Sequence, residues 1–451
     1  MLNRTLHLLF FLFLTTLHTY AQQQGTTGNE AKNLKDSLTL TECIRYALRE
    51  QPAINQAEID LRIARANNAI GISGWLPQVN GTANLQHYFQ LPTAYSRING
   101  QLLTINSGTY NVSSPSIGAT QTLFSNDVLL AARAAHLNTQ LAEQNIKATK
   151  IDLVSNVSKA FYDLLLSIEQ VNVFKEDTAR LKRNETDAYN RYVSGISDKV
   201  DYKQATISLN NSMAQLKTAS EAIASKYAVL KQLMGYPTEA RFKVSFDTAE
   251  MMQQIFVDTL AALQVEKRIE YQLLQTTRRI QHETTRYYQL GFLPNVSAFY
   301  NYYQQYQNNE FKNLYNKGFP YSFVGVQMSI PIFTGLRRLD NVRKAKLQEE
   351  RTDWDEVNVK LSIYSQYRQA LAAYKSNFYN LHEQADNVGM AREVYDIVRL
   401  QYREGIKAYL DMIVAESQLE TSEINYLNSL FQLLQSKVDL EKAMGDIPTN
   451  F

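Results

Sequence analysis

Two kinds of periodicity alternate along the chain, one of two residues and one of three to four. From Trp75 to Gln90 (WLPQVNGTANLQHYFQ), Val79, Gly81, Ala83, Leu85 and Phe89 hold the odd positions, with His87 the one polar exception. Asn80, Thr82, Asn84, Gln86 and Tyr88 hold the even ones. That alternation predicts a strand over 75–90 with one face largely apolar. A second strand is predicted at 114–124, after a loop over 91–113. Phe292 to Gln305 (FLPNVSAFYNYYQQ) repeats the opening phrase: a glycine (Gly74, Gly291), then a Leu-Pro step ending at Pro77 and Pro294, where each strand is entered. A loop over 307–320 follows. A fourth strand, about 321–333, then puts Val324, Val326, Met328, Ile330 and Ile332 on one face.

The segments between these strands read as helices. One is predicted at 126–193 with neither glycine nor proline, its seam formed by Val154, Val157, Phe161, Leu164, Ile168 and Val171. Such a helix is about 100 Å long, too long for a compact domain. Gly195 ends it, and a return helix over 198–235 carries Leu209, Met213, Leu216, Ser220, Ile223, Tyr227, Leu230 and Met234. Ser220, the one polar member, is small enough for a close helix contact. The second half repeats the scheme with helices at 335–403 (Tyr364, Tyr367, Leu371, Tyr374, Phe378) and 408–444 (Ile424, Leu427, Phe431, Leu434, Val438), parted by Gly405. Shorter helices at 38–73 and 258–290 precede the first strand of each half. The chain thus reads as a tandem duplication, repeat one at 38–237 and repeat two at 255–448, with linkers at 22–37 and 238–254.

Composition sharpens this picture. Among 451 residues, 17 glycines and 9 prolines leave room for few turns. Tyrosine (28) outnumbers phenylalanine (19), which suits surfaces where a ring meets both an apolar phase and water. A formal net charge of +2 gives no pull toward nucleic acid. The single cysteine, Cys43, excludes an intramolecular disulfide and any cysteine-built metal site. Residues 1–21 have the positive, apolar and small-residue regions of a secretory signal peptide, with Arg4 first and cleavage expected after Ala21. No cysteine stands there to carry a lipid, and no later segment is a long uncharged apolar run. Four strands cannot close a barrel alone, yet each is long enough to cross a bilayer when tilted. Backbone groups in lipid must all be paired, so the strands must close with those of other chains.

The pattern resembles the TolC-like outer membrane efflux protein family over the whole mature chain. The stretches that carry the resemblance are LTLTECIRYALREQPAINQAEIDLRIARANNAIGISGWLPQV, IPIFTGLRRLDNVRKAKL, and the paired RYVSGISDKVDYKQA and QYREGIKAYLDMIVAES. It implies a mainly helical fold with membrane strands: a homotrimer with a twelve-stranded β-barrel in outer membrane lipid, continuing into a long periplasmic α-barrel. It also implies a passive duct that docks onto a periplasmic adaptor (membrane fusion) protein and an inner membrane transporter. The periplasmic tips, Tyr192, Gly195 and Ile196 in repeat one and Gly405 and Ile406 in repeat two, would meet the adaptor. A periplasmic gate would use Asp201 tied to Tyr402, Lys407 in place of a gate arginine, and a ring of Asp411. The chain departs from the family at Val414, where a second aspartate is often found, and at Asn126, where repeat two has Gly335.

Other classes fit less well. The four mature histidines (His87, His136, His282, His382) show no ligand spacing, and no phosphate loop or nucleophile elbow appears, so neither an enzyme nor a metal or cofactor site is expected. A periplasmic coiled-coil adaptor is the alternative; it explains the long hairpins but not the strands or the duplication. The residue pattern names no cargo.

Overall fold

The computed structural model describes residues 36–98, 101–246, 255–260 and 262–451. The expected signal peptide, residues 22–35 of the first linker and residues 247–254 of the second lie outside the described residues. Strand β1 (Ser37–Leu38) leads into helix α1 (Leu40–Glu50) through a capping box: Thr39 Oγ1 accepts from the Glu42 N–H, and the Glu42 carboxylate accepts from the Thr39 N–H at 3.0 Å. The continuous helix expected over 38–73 is in fact two. Gln51 is extended (ψ 123°) because the residue before a proline is steered out of the helical region, and α2 (Pro52–Ser73) starts at the proline itself.

The first strand begins directly after Pro77 as β2 (Gln78–Thr82), pauses at residues 83–84, and resumes as β3 (Leu85–His87). In place of the expected loop, β4 (Thr93–Ile98) and β5 (Gln101–Asn106) form an antiparallel hairpin. The return strand also comes in two parts, β6 (Asn111–Ser113) and β7 (Ser116–Phe124), split at Pro115, which lacks the N–H a ladder needs.

Helix α3 (Asn126–Val193, 68 residues) and helix α4 (Lys199–Met234) form the first long hairpin. Strand β8 (Lys243–Val244) pairs in parallel with β1. The helix expected from 258 begins only at α5 (Ile269–Leu290). Its delay is set by Arg268, extended and buried, whose guanidinium donates to the Ala443 carbonyl, Gln366 Oε1 and the Glu270 carboxylate, each at 2.8–2.9 Å. Strand β9 (Asn295–Asn308) starts directly after Pro294 and runs into the expected loop, and β10 (Gly318–Ser329) starts and stops earlier than expected. Helices α6 (Arg337–Arg403, 67 residues) and α7 (Tyr409–Met444) form the second hairpin.

The strands make one antiparallel meander in the order β2/β3, β7/β6, β9, β10. Its outer edges, β2/β3 and β10, pair with no further strand among the described residues. Val324, Val326, Met328 and Ile330 stand exposed on or just past β10, so its apolar face is uncovered within the chain. No described helix is long and apolar enough to cross a membrane.

The two strand-to-helix corners differ. Gly335 and Leu336 both adopt left-handed backbone (φ 61° and 67°), whereas Ser125 is extended. Asn126 instead ties its corner to α5, Nδ2 donating to the Tyr287 carbonyl at 2.6 Å.

The main core sits near the middle of the long helices. There Cys43, Val157, Leu164, Leu165, Leu230, Met234, Leu433 and Leu440 are fully buried. Val154, Val157, Phe161 and Leu164 of the α3 seam lie in it, Ile168 packs against it partly buried, and Val171 is buried but outside it. The other seams are less regular. Ser220 is exposed and its Oγ donates back to the Leu216 carbonyl, so within the chain it is not buried in a helix contact; Met213, Tyr364 and Phe378 are exposed as well.

Candidate functional site: the paired helical tips

Both long hairpins turn by the same local chemistry. In the first, the Gly195 N–H donates to the Tyr192 carbonyl at 3.0 Å and the Ile196 N–H to the Arg191 carbonyl at 2.8 Å. In the second, Gly405 donates to Tyr402 at 3.1 Å and Ile406 to Gln401 at 2.8 Å. Gly195 (φ 72°) and Gly405 (φ 77°) supply the left-handed residue that this helix ending requires. Ile196 (67% exposed) and Ile406 (73%) therefore project from the two turns as bare apolar side chains. Asp198 caps α4 by accepting from the Val200 N–H, and the Asp411 carboxylate accepts from the Ala408 N–H at 3.2 Å.

Behind the turns lies a small second core of Ala188, Ala205, Tyr402, Tyr409 and Met412. Tyr402 is buried there, not exposed at the tip, packed edge-on against the Tyr409 ring. Its hydroxyl has no hydrogen-bond partner within the chain, so the expected Asp201–Tyr402 bond is not made there. The two groups still feel one another. Burial raises the Tyr402 phenol, Arg191 opposes that rise and Asp201 adds to it. Burial and then Asp198 raise the Asp201 carboxyl, again against Arg191. Tyr192 stays half-exposed and stacks on Tyr202, with ring centroids 6.2 Å apart. Among the described residues Lys407 pairs with Asp411, at 4.0 Å, both side chains nearly half exposed. Val414 is exposed.

Two features of the hairpins escape a reading by residue type. Arg191 is one: its guanidinium lies over the Tyr402 ring, 5.0 Å from the centroid, and it faces a cleft of about 290 Å³ shared with Arg399 and Arg403. The other is a charged cluster further along the hairpins. Asp177 and Arg180 of α3 meet Glu416 and Glu423 of α7, and Glu423 also pairs with Arg392 of α6. Its signal in the sequence is the 4,3 spacing of Glu416, Glu420 and Glu423, carboxylates written where a seam writes leucine.

Comparison with known proteins agrees with this architecture. The profile of the family described as "Outer membrane efflux protein" matches residues 43–236 and 281–446. The chain is 21% identical to outer membrane protein TolC of Vibrio cholerae, over 83% of each chain. It is 19% identical to the proteases secretion protein PrtF of Dickeya chrysanthemi, over 91% of this chain and 89% of that one. A solved structure of CusC superposes with a TM-score of 0.76 at 17% identity, covering 90% of this chain and 91% of that one. Long paired hairpins, a four-stranded meander and a matched profile over both repeats place the chain in the outer membrane efflux protein family.

Proposed function

We propose that three copies of this chain close a twelve-stranded barrel in the outer membrane, and that their helices continue it as a periplasmic duct. The protein is an outer membrane exit channel for efflux or type I secretion. What supports the trimer is the sheet: four strands with two unpaired edges and an uncovered apolar face, continuous with helices of 67 and 68 residues. Unpaired edges are untenable in lipid, and closure with neighbours satisfies them. The adaptor of an inner membrane transporter would meet the tips at Tyr192, Gly195, Ile196, Gly405 and Ile406. Asp201, Tyr402, Lys407 and Asp411 would form the gate, with the buried Tyr402 hydroxyl finding its partner as the hairpins of three chains converge. PrtF is named for the secretion of proteases, one of the two uses proposed. Extraction in mild detergent tests the assembly. A particle of three chain masses is expected; a stable water-soluble monomer would overturn the reading.

A further inference from the structure

One buried contact between the two long hairpins leaves charged side-chain atoms without hydrogen bonds. Asp177, its side chain inaccessible to water, accepts from Ser212 Oγ of α4 at 2.7 Å and from Arg180 at 3.2 Å. Asn184 Nδ2 donates to Glu416 Oε2 at 2.8 Å, and Arg392 donates to Glu423 Oε1 at 2.8 Å. The central contacts are looser. Arg180 stands 3.7 Å from both Glu416 and Glu423, too far for hydrogen bonds. Arg180 Nε, Glu416 Oε1 and Glu423 Oε2 are all buried without a hydrogen-bond partner. Buried charge whose hydrogen bonds are incomplete is costly in a protein interior.

The surroundings do not balance it. The first hairpin presents Asp177, Arg180, Asn184 and Ser212. The second presents Arg392, Tyr395 and Arg399 from α6, with Tyr409, Glu416, Glu420 and Glu423 from α7. Four carboxylates thus face Arg180 and Arg392, with Arg399 lying toward Tyr395. We propose that this cluster is a proton-holding latch: Glu416 keeps a proton while the hairpins are together, and parting them at this layer releases it. This rests on the duct reading, because only a duct whose hairpins part would use it.

The electrostatics agree with the geometry. Burial first, then Asp177, push the Glu416 carboxyl up to about 7, against Arg180 and Asn184. Burial likewise raises Asp177 and Glu420. Once parted and hydrated, Glu416 returns to the ordinary carboxylate value of about 4.3. Below that value both arrangements hold the proton and opening gains nothing from pH. Between it and about 7 only the closed arrangement holds it, so rising pH favours opening. Above about 7 neither does, and the effect is flat. The opening constant gains up to roughly 500-fold per protomer across this window.

Single-channel recording of the purified trimer in lipid bilayers at pH 5 to 8 tests the latch. Opening frequency should rise at least about tenfold from pH 5 to 7.5 and then level off. Glu416→Gln keeps an acceptor for Asn184 and should abolish the rise without changing current amplitude. Glu420→Gln, at the rim of the cluster, should move the midpoint to lower pH by removing a neighbouring negative charge. A flat native profile, or an undiminished rise in Glu416→Gln, overturns the latch. Spin labels at Lys182 of α3 and Thr421 of α7 give the same answer without current. The longer-distance fraction should grow from pH 5 to 7.5 in the native chain and stay constant in Glu416→Gln; equal fractions at both pH values in the native chain overturn it. Absence of current at every pH would count against the duct, while the distances still decide the latch.

Discussion

The guanidinium of Arg191 lies 5.0 Å over the ring of Tyr402 and donates to the Tyr402 carbonyl at 3.4 Å, joining the last turn of one long hairpin to the last turn of the other. Of the described contacts behind the two turns, this one couples a charge to the buried core of the tip. Arg191→Ala should loosen the pairing of the tips by about 1 kcal/mol per chain. In planar bilayers that is expected as more frequent opening, with Arg191→Lys intermediate because charge survives without the planar fork.

The proposed gate predicts a second effect. Tyr402→Phe keeps the ring against Arg191 and Tyr409 and removes only a hydroxyl that is unpartnered within the chain. Combined with Lys407→Ser, it should leave melting behaviour close to the parent. Conductance and antibiotic entry into cells should both rise, because the Tyr402 hydroxyl and the Lys407 ammonium would otherwise hold the three converging tips together. A double variant that stays trimeric and conducts like the parent would place the gate elsewhere.

Asp411 is expected to act separately. Its carboxylate half-caps α7 through the Ala408 N–H, and asparagine keeps that acceptor. Asp411→Asn should therefore fold normally yet bind multivalent cations more weakly, read as weaker current block and without more frequent opening.

The hairpin of β4 and β5 predicts topology. It lies at the end of the sheet away from the helices, so it should face the cell exterior. The native Cys43 is buried and silent toward reagents. A cysteine at Ser107, exposed just past β5, should react with an impermeant thiol reagent on intact cells. Reaction only after the outer membrane is breached would reverse the assignment.

The long elements were legible in the sequence because their signals are local and repeated. Gly195 and Gly405 end helices of 68 and 67 residues, and Pro77 and Pro294 each stand one residue before a strand. The break at Pro52 was equally local, but the surrounding helical pattern hid it. The β4–β5 hairpin was not legible, since the sequences of Thr93–Ile98 and Gln101–Asn106 mix polar and apolar residues without a clean two-residue alternation. Tyr402 shows the limit more sharply. A tyrosine three residues before a turn glycine reads as exposed, and its burial comes from Ala188, Ala205 and Met412, which the fold brings in from other helices. Arg180 is hidden for the same reason: its partners lie more than two hundred residues away on α7.

The central claim is that β10 of one chain pairs with β2 and β3 of the next. Cysteine pairs scanned between residues 322–328 and 78–82, in a Cys43→Ser background, test it most directly. In-register pairs should give oxidised species at two and three times the mass of the mature chain, with every second position reactive as the strands alternate. Only unlinked monomer at every pairing, in membranes where the protein is intact, would contradict a barrel closed between chains.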